Sequence, residues 1–112
     1  MDCIFCKIIN KEIPSVFLYE DDMVVAFKDI NPQAPVHFLI IPKEHIESND
    51  DINDENSHII AHVFKIAKKL AKENGLESGY RIVNNCKEDG GQTVNHIHFH
   101  VLGGRQMLWP PG

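Results

Sequence analysis

Three histidines alternate with apolar residues in Asn95-His96-Ile97-His98-Phe99-His100-Val101-Leu102. Successive side chains of a β-strand point to opposite faces, so this alternation predicts a strand over residues 95–102. Its apolar side chains would face a core, and its three imidazoles would share the other face. Buried imidazoles need hydrogen-bond partners, and three of them on one face are hard to explain by packing alone. The pattern therefore predicts both a core strand and a functional site.

Strand geometry limits what these histidines can do together. At a rise of about 3.3 Å per residue, His96 and His100 lie about 13 Å apart along the strand. One metal ion with bonds of about 2 Å cannot bind all three imidazoles, although two neighbours could share an ion. We therefore expect different roles along the row. His98, which has a histidine on each side, is the candidate nucleophile, and His100 would stabilise phosphoryl oxygens or protonate a leaving group.

A glycine pair lies just upstream, in Asp89-Gly90-Gly91-Gln92-Thr93. Glycines let backbone amides approach an anion closely, and Thr93 adds a hydroxyl donor. Alone, the pair is only a turn signal. Directly before a row of histidines, it predicts a phosphate-binding loop. An imidazole nitrogen attacks phosphorus well and forms a bond that water can cleave, so the pattern indicates covalent chemistry at phosphorus.

Four further strands are predicted upstream of the histidine row. They are rich in side chains that suit a pleated surface, and turn residues bound them. The first two are separated by Glu20-Asp21-Asp22, which predicts a hairpin. The ranges of the four strands are 16–19, 23–27, 37–41 and 80–83.

A long amphipathic helix is predicted between Ile59 and Ala71, where apolar residues recur at helical spacing and lysines fill the other side. Gly75 supplies its end. A short helix or turn is predicted at the start of the chain, over residues 3–10. These elements predict an α+β fold in which an antiparallel five-stranded sheet carries the long helix on one face. We expect a single domain, 1–112, with residues 103–112 as an extended C-terminal arm.

Composition narrows the class of protein. Hydrophobic residues make up 43% of the 112 residues and charged residues 24%, which is typical of a globular domain. The net charge of −5 disfavours a surface for duplex nucleic acid but allows a mononucleotide. No apolar run approaches the ~20 residues that cross a bilayer, and no secretion signal is visible. Three cysteines do not make a disulfide framework, so we expect a reduced, cytoplasmic protein.

The chain resembles the histidine triad (HIT) family, whose signature is His-φ-His-φ-His-φ-φ with φ apolar. Residues 96–102 match that signature in full. The resemblance spans nearly the whole chain, and it is strongest to the Hint branch, the adenosine phosphoramidases. Its other matching segments are 5–9, 29–35, 37–43, 89–92 and 103–112.

That resemblance implies an activity and an assembly. It implies hydrolysis of AMP linked to an amine or acyl group, through a nucleotide bound covalently to His98. It also implies a homodimer whose sheets join side by side, with the C-terminal tail reaching the partner's active site. Thr93 stands where animal Hint proteins carry serine, so the hydroxyl is kept, and Asn95 replaces an aromatic residue of those relatives.

The resemblance also implies roles for individual residues. Asp29 would hold the ribose hydroxyls, and Ile30 would pack near the base. His37 is similar to a histidine that supports the catalytic one by hydrogen bonding. The residues implied around the phosphate are Asn85, Gly91, Gln92, Thr93, His98 and His100.

The pair Cys3-x-x-Cys6 has the spacing of zinc ligands. A closed tetrahedral site needs two more ligands, and His45 and His96 are the candidates. Some bacterial triad proteins and related nucleotidylyltransferases resemble the chain here and hold zinc with such a set. We therefore expect a structural zinc ion; the alternative is a pair of ordinary reduced thiols.

Other interpretations stay open at this stage. The chain could be a purine-nucleotide-binding interaction module with little catalysis. A metal-storage or metal-sensing protein would use the seven histidines and the cysteine pair, but it leaves Asp29, Asn85 and the glycine pair unexplained. Cys86 is interpreted as a lone thiol near the phosphate loop. His58 and His62, four apart on the helix, are expected at its solvent-facing side or edge rather than on a metal.

Overall fold

A computed structural model describes residues 3–112 as one α+β unit. Met1 and Asp2, the first residues of the predicted domain, lie outside the described residues. The elements are α1 (Ile4–Ile9), β1 (Phe17–Glu20), β2 (Val24–Lys28), β3 (Val36–Pro42), a 3-10 turn (Asn49–Asp51), α2 (Ser57–Glu73), β4 (Tyr80–Val83), α3 (Lys87–Gly90) and β5 (Phe99–Gly103).

The strands of residues 3–112 form a five-stranded antiparallel sheet in the order β1-β2-β3-β5-β4. The predicted fold class is therefore confirmed, including the hairpin and the long helix. Within the described part of the chain, no helix is both long and apolar enough to span a membrane.

Helix α1 begins, and helix α2 ends, where the sequence supplies a cap. The Sγ of Cys3 accepts a hydrogen bond from the backbone N–H of Cys6 at 3.4 Å and so caps α1. After α2, Gly75 takes a left-handed φ of 77°, and the N–H of Leu76 donates to the carbonyl of Ala71 at 2.9 Å. That arrangement is a glycine-dependent helix end, as the sequence predicts.

Each face of the sheet is covered by a different helix. One face packs against the apolar stripe of α2, and Ile97, Phe99 and Val101 belong to this core, as their alternation predicts. The other face packs against α1 through Phe5 and Ile8. The rings of His96 and His98 contact the Phe5 ring, with centroids 5.9 and 5.1 Å apart, so the histidines lie on the α1 side. The site is therefore built between α1 and the sheet.

The predicted strand over residues 95–102 is wrong for its first half, because β5 begins only at Phe99. The segment Asn95–His98 leaves the ladder, and other groups hold its backbone. The N–H of Ile97 donates to the carbonyl of Ile46 at 2.7 Å, and the Asn84 amide donates to the His98 carbonyl at 3.0 Å. Alternation survives in the side chains although strand pairing does not.

The C-terminal arm also differs slightly from its predicted range. Gly103 belongs to β5, so the arm begins at Gly104. Residues 104–112 contain no helix or strand, and the apolar side chains of Leu108 and Trp109 are 73% and 79% exposed. The guanidinium of Arg81 donates to the Leu108 carbonyl at 2.9 Å and holds the arm against β4.

Candidate functional site

The four predicted zinc ligands come together from three separate parts of the chain. The Nδ1 of His96 lies 3.4 Å from the Sγ of Cys3, 3.7 Å from the Sγ of Cys6 and 3.1 Å from the Nδ1 of His45. The Cys6 Sγ lies 3.4 Å from the same His45 nitrogen. All four ligand atoms lie within 4.8 Å of one another, which suits a tetrahedral ion with two sulfur and two nitrogen ligands.

The hydrogen bonding of His96 leaves the correct nitrogen available. Its Nε2 lies 2.8 Å from the carbonyl of Pro42, and a carbonyl only accepts, so Nε2 carries the proton. Nδ1 then presents a lone pair to the cysteines. Burial lowers the pKa of His96 to about 4, so the ring is neutral. A backbone carbonyl that fixes the second nitrogen is typical of histidines that bind metal.

The thiol of Cys6 is protonated in the absence of metal. Burial, together with the hydrogen bond and charge of Cys3, raises the pKa of Cys6 to about 11. Since a cysteine binds metal as the thiolate, an ion that enters here must displace that proton. The residues therefore fit a metal ion whose binding weakens as the pH falls.

The ring of His98 is held in one tautomer by the backbone two residues earlier. Its Nδ1 lies 2.7 Å from the carbonyl oxygen of His96, and it must donate because the carbonyl only accepts. Burial lowers the pKa of His98, against the effect of that hydrogen bond. The residue is therefore neutral at pH 7, with its lone pair on Nε2, which is the form that acts as a nucleophile.

His37 and His100 form a second ordered pair beside it. The backbone N–H of Gln33 donates to the Nδ1 of His37 at 3.0 Å, so the proton of this ring is on Nε2. That nitrogen donates to the Nδ1 of His100 at 2.9 Å. Burial, with the neighbouring histidines, lowers the pKa of His100 to about 4. His100 therefore carries its only proton on Nε2, and its ring lies 5.2 Å from the ring of His98.

Asp29 lies at the edge of this histidine pair. Its Oδ2 is 3.4 Å from the Nε2 of His37 and 3.8 Å from the Nδ1 of His100, and its Oδ1 accepts from the N–H of Asn31 at 2.8 Å. Ile30, the predicted base contact, is 98% exposed beside it. An apolar side chain so open to solvent next to a carboxylate can contact a bound ring.

Asp29, His37 and His100 also have the composition of a metal triad. Their hydrogen bonds argue against that use. To bind a metal through Nε2, His37 would have to move its proton to Nδ1, which would then face the N–H of Gln33. His37 and His100 therefore form a hydrogen-bonded relay with Asp29 beside it, whereas His96 in the cysteine cluster presents a lone pair.

The predicted phosphate loop is organised around Gln92. Its Oε1 accepts from the N–H of Lys87 at 2.8 Å, and its Nε2 donates to the carbonyls of Glu47 and Val94 at 2.7 and 3.0 Å. Gly91 has a left-handed φ of 80° at the end of α3. The Gln92 side chain thus shapes the loop from within, a role that the sequence does not reveal.

The other loop residues lie close by. A Cβ added at Gly90 would lie 3.6 Å from the backbone of Asn85, so Gly90 packs on that residue, whereas a Cβ added at Gly91 would meet nothing within 4 Å. Thr93 is exposed and lines a cleft with Cys3 and His45, which brings the loop to the cysteine cluster.

Several contacts of the site were not predicted from sequence. Phe5, Pro42 and Asn84 contact or orient the histidines, yet nothing in their local sequence marks them. The Nε2 of His62 lies 2.6 Å from the carboxylate of Asp21, which ties α2 to the β1–β2 hairpin away from the triad.

Comparisons with known proteins agree with this geometry. The HIT domain family matches residues 10–107. A maize (Zea mays) relative called 14 kDa zinc-binding protein is 53% identical over 111 residues, covering 97% of this chain and 87% of its own. The crystal structure of a HIT family hydrolase from Legionella pneumophila is 55% identical, with a TM-score of 0.97 over 99% of this chain and 100% of the other. A histidine triad nucleotide-binding protein from Candida albicans is 38% identical, with a TM-score of 0.81 over 89% and 73% of the two chains.

The chain therefore belongs to the HIT family. It is similar over 99% of its length to a HIT family hydrolase, and it carries a Cys3, Cys6, His45 and His96 cluster suited to a metal ion.

Proposed function

We propose that this protein hydrolyses nucleotides that carry an amine or an acyl group on the α-phosphate, through a nucleotide bound covalently to His98. One observation carries the proposal. The His98 Nδ1–H is bonded to the His96 carbonyl at 2.7 Å, which leaves an unprotonated Nε2 next to His100, a ring that is a hydrogen-bond donor at its own Nε2.

The reaction has two steps. The lone pair on the Nε2 of His98 attacks the α-phosphorus, and the bond from phosphorus to the leaving nitrogen or oxygen breaks. The His98 ring becomes cationic, and the carbonyl of His96 stabilises its Nδ1–H. Water then attacks the same phosphorus and gives up a proton to solvent, and the bond from phosphorus to the Nε2 of His98 breaks. Its electron pair returns to the ring, which becomes neutral again, and AMP leaves.

His100 acts in these steps as a hydrogen-bond donor to phosphoryl oxygen. Its Nδ1 accepts from His37, whose own Nδ1 accepts from the backbone of Gln33. No group in this relay can replace a proton that His100 gives away, so the leaving group takes its proton from solvent. The Nε2–H of His100 therefore acts as a fixed dipole that stabilises the charge developing on the phosphoryl oxygens.

The nucleotide extends from this centre in two directions. Its ribose hydroxyls bind Asp29, and its purine packs on Ile30. Its phosphate is held by the backbone of Gly91 and by Asn85 and Thr93, in the loop that Gln92 shapes. The similarity to a nucleotide-binding protein of Candida albicans supports a nucleotide as substrate.

Zinc fills the structural role at the cysteine cluster. Cys3, Cys6, His45 and His96 would hold it, and it would fasten α1 to the segment before β5. The similarity to a maize zinc-binding protein supports this metal. Thiolate ligands require a reducing compartment, which favours the cytoplasm. The exposed Leu108 and Trp109 favour a homodimer in which the arm contacts a second copy.

Turnover of an adenosine phosphoramidate by the wild type and by His98→Ala tests the reaction. We expect the substitution to abolish turnover and leave AMP binding largely intact, and rapid quenching of the wild type should trap an AMP adduct on His98. A binding module with little catalysis would bind AMP without any adduct. Retained turnover in His98→Ala would overturn the mechanism.

A further inference from the structure

The backbone at the candidate nucleophile is held by a side chain rather than by the sheet. The strand pairs of β5 begin at Phe99, which lies opposite Ile40 of β3. The carbonyl of His98 instead accepts a hydrogen bond from the Nδ2 of Asn84 at 3.0 Å. Asn84 comes directly after β4, on the far side of β5 in the sheet. One amide therefore fixes the peptide plane from which the His98 ring is oriented.

A second amide fixes the first. The Nδ2 of Asn49, in the 3-10 turn, donates to the Oδ1 of Asn84. The order of the two amides follows from the His98 carbonyl, which accepts only a donor, so Asn84 must turn its Nδ2 to it and its Oδ1 to Asn49. Asn49 must then use its own Nδ2, and its buried Oδ1 has no hydrogen-bond partner among residues 3–112. An orphaned acceptor is unfavourable, and it persists here because the opposite order would set oxygen against oxygen at His98.

We infer that Asn49 and Asn84 are positioning residues that hold His98 in the orientation for attack on phosphorus. The effect on turnover rests on the proposed function, whereas the effect on the orientation and tautomer of His98 does not. The His98 Nδ1–H reaches back to the His96 carbonyl only while the backbone at 96–98 keeps its present course. Asn84 is the side chain that holds its far end.

The Asn49–Asn84 pair, here called the asparagine relay, acts on the orientation of His98 and not on substrate binding. Neither asparagine is among the residues assigned to the ribose, base or phosphate. Loss of the relay therefore slows the chemical step and leaves ground-state binding unchanged. A fall in kcat with an unchanged KM therefore distinguishes a residue that positions His98 from one that only fills space in the core.

The test compares Asn84→Leu, which keeps the branched shape and the number of side-chain heavy atoms but removes the donor, with the wild type. The first readout is the tautomer of His98 by long-range ¹H–¹⁵N NMR, which does not depend on turnover. We expect the wild type to hold the proton on Nδ1 and the variant to populate both tautomers. The second readout is kcat and KM for an adenosine phosphoramidate, where kcat falls by about ten- to a hundredfold and KM changes little. Asn49→Leu, which is one hydrogen bond further from His98, gives a smaller effect in the same direction.

A matched control separates positioning from stability. Val63→Ala makes a cavity under α2, on the opposite face of the sheet, and lowers stability without contacting the relay. We expect it to leave the His98 tautomer and kcat unchanged. An unchanged tautomer in Asn84→Leu, or an equal loss of kcat in Val63→Ala, overturns the inference. If the wild type shows no turnover, the proposed function is overturned instead. The tautomer of His98 in Asn84→Leu still tests whether the asparagine relay orients the ring.

Discussion

His96 contributes to two sites at once: its ring enters the cysteine cluster, and its backbone carbonyl accepts the Nδ1–H of His98 at 2.7 Å. The same ring is tied to β3 through the Pro42 carbonyl at 2.8 Å. A metal ion at the cluster would therefore fix the acceptor that sets the tautomer of the candidate nucleophile. The metal and the chemistry are separate in space but share one residue.

The first prediction concerns the cysteine cluster. Cys3→Ser or Cys6→Ser should reduce bound zinc to near zero in protein purified without chelator, because a hydroxyl is a poor ligand for this metal. The free energy of unfolding should fall by about 3 kcal/mol where free zinc exceeds its Kd a hundredfold. Metal analysis and urea unfolding measure both effects. Cys86→Ser is the matched control, since this third cysteine lies outside the cluster, and it should keep full zinc content. Equal zinc in all the variants would contradict the assignment.

Much of this site follows from short-range patterns. Cys3-x-x-Cys6 and the histidine alternation are readable from spacing, and a closed zinc site then requires two more ligands, which makes His45 a candidate. The long helix can also be predicted from the sequence, because its apolar stripe repeats over many turns.

What sequence does not reveal is where polar side chains meet across the fold. Asn49 and Asn84 are 35 residues apart, and neither leaves a periodic signal. The start of β5 is also hidden, because alternation continues through His98 although the ladder begins at Phe99. The four residues of α3 are too few for a helical period to be visible.

A second prediction concerns the relay that orients His100. His37→Phe keeps an aromatic ring but removes the donor to the Nδ1 of His100, so that His100 can place its proton on either nitrogen. We expect kcat for an adenosine phosphoramidate to fall by about ten- to a hundredfold. His58→Phe, at an exposed position on α2, should leave kcat unchanged. Steady-state kinetics measure this effect. A kcat within twofold of wild type in His37→Phe would show that the hydrogen bond from His37 to His100 is not needed for the mechanism.

A third prediction follows from the burial of His100 among His37, His98 and Asp29. Burial lowers the pKa of His100 from 6.5 to about 4, so the unfolded chain binds this proton more readily than the folded one. The free energy of unfolding should therefore fall as the pH drops from about 6.5 to about 4, by at most about 3 kcal/mol from this residue. Urea unfolding over a pH series in chelator measures the slope. His100→Asn should reduce the slope without abolishing it, because burial also lowers the pKa of His96 to about 4. Parallel curves for the two proteins would refute the assignment.

The last prediction separates two reasons for glycine at the start of the C-terminal arm. Gly104 has a φ of 92°, and a Cβ there would lie 2.9 Å from the Cβ of Pro35, in a rigid ring. Gly75 has a similar φ of 77° but nothing within 4 Å of its added Cβ. Gly112 also has nothing within 4 Å and no left-handed φ. Gly75→Ala should therefore cost about 1 kcal/mol from backbone strain alone, and Gly112→Ala almost nothing. Gly104→Ala should cost about 2–4 kcal/mol, since the clash adds to the strain. Urea midpoints of the three variants give the order directly. If Gly104→Ala were no worse than Gly75→Ala, the contact with Pro35 would not fix the arm, and only the backbone conformation would require glycine there.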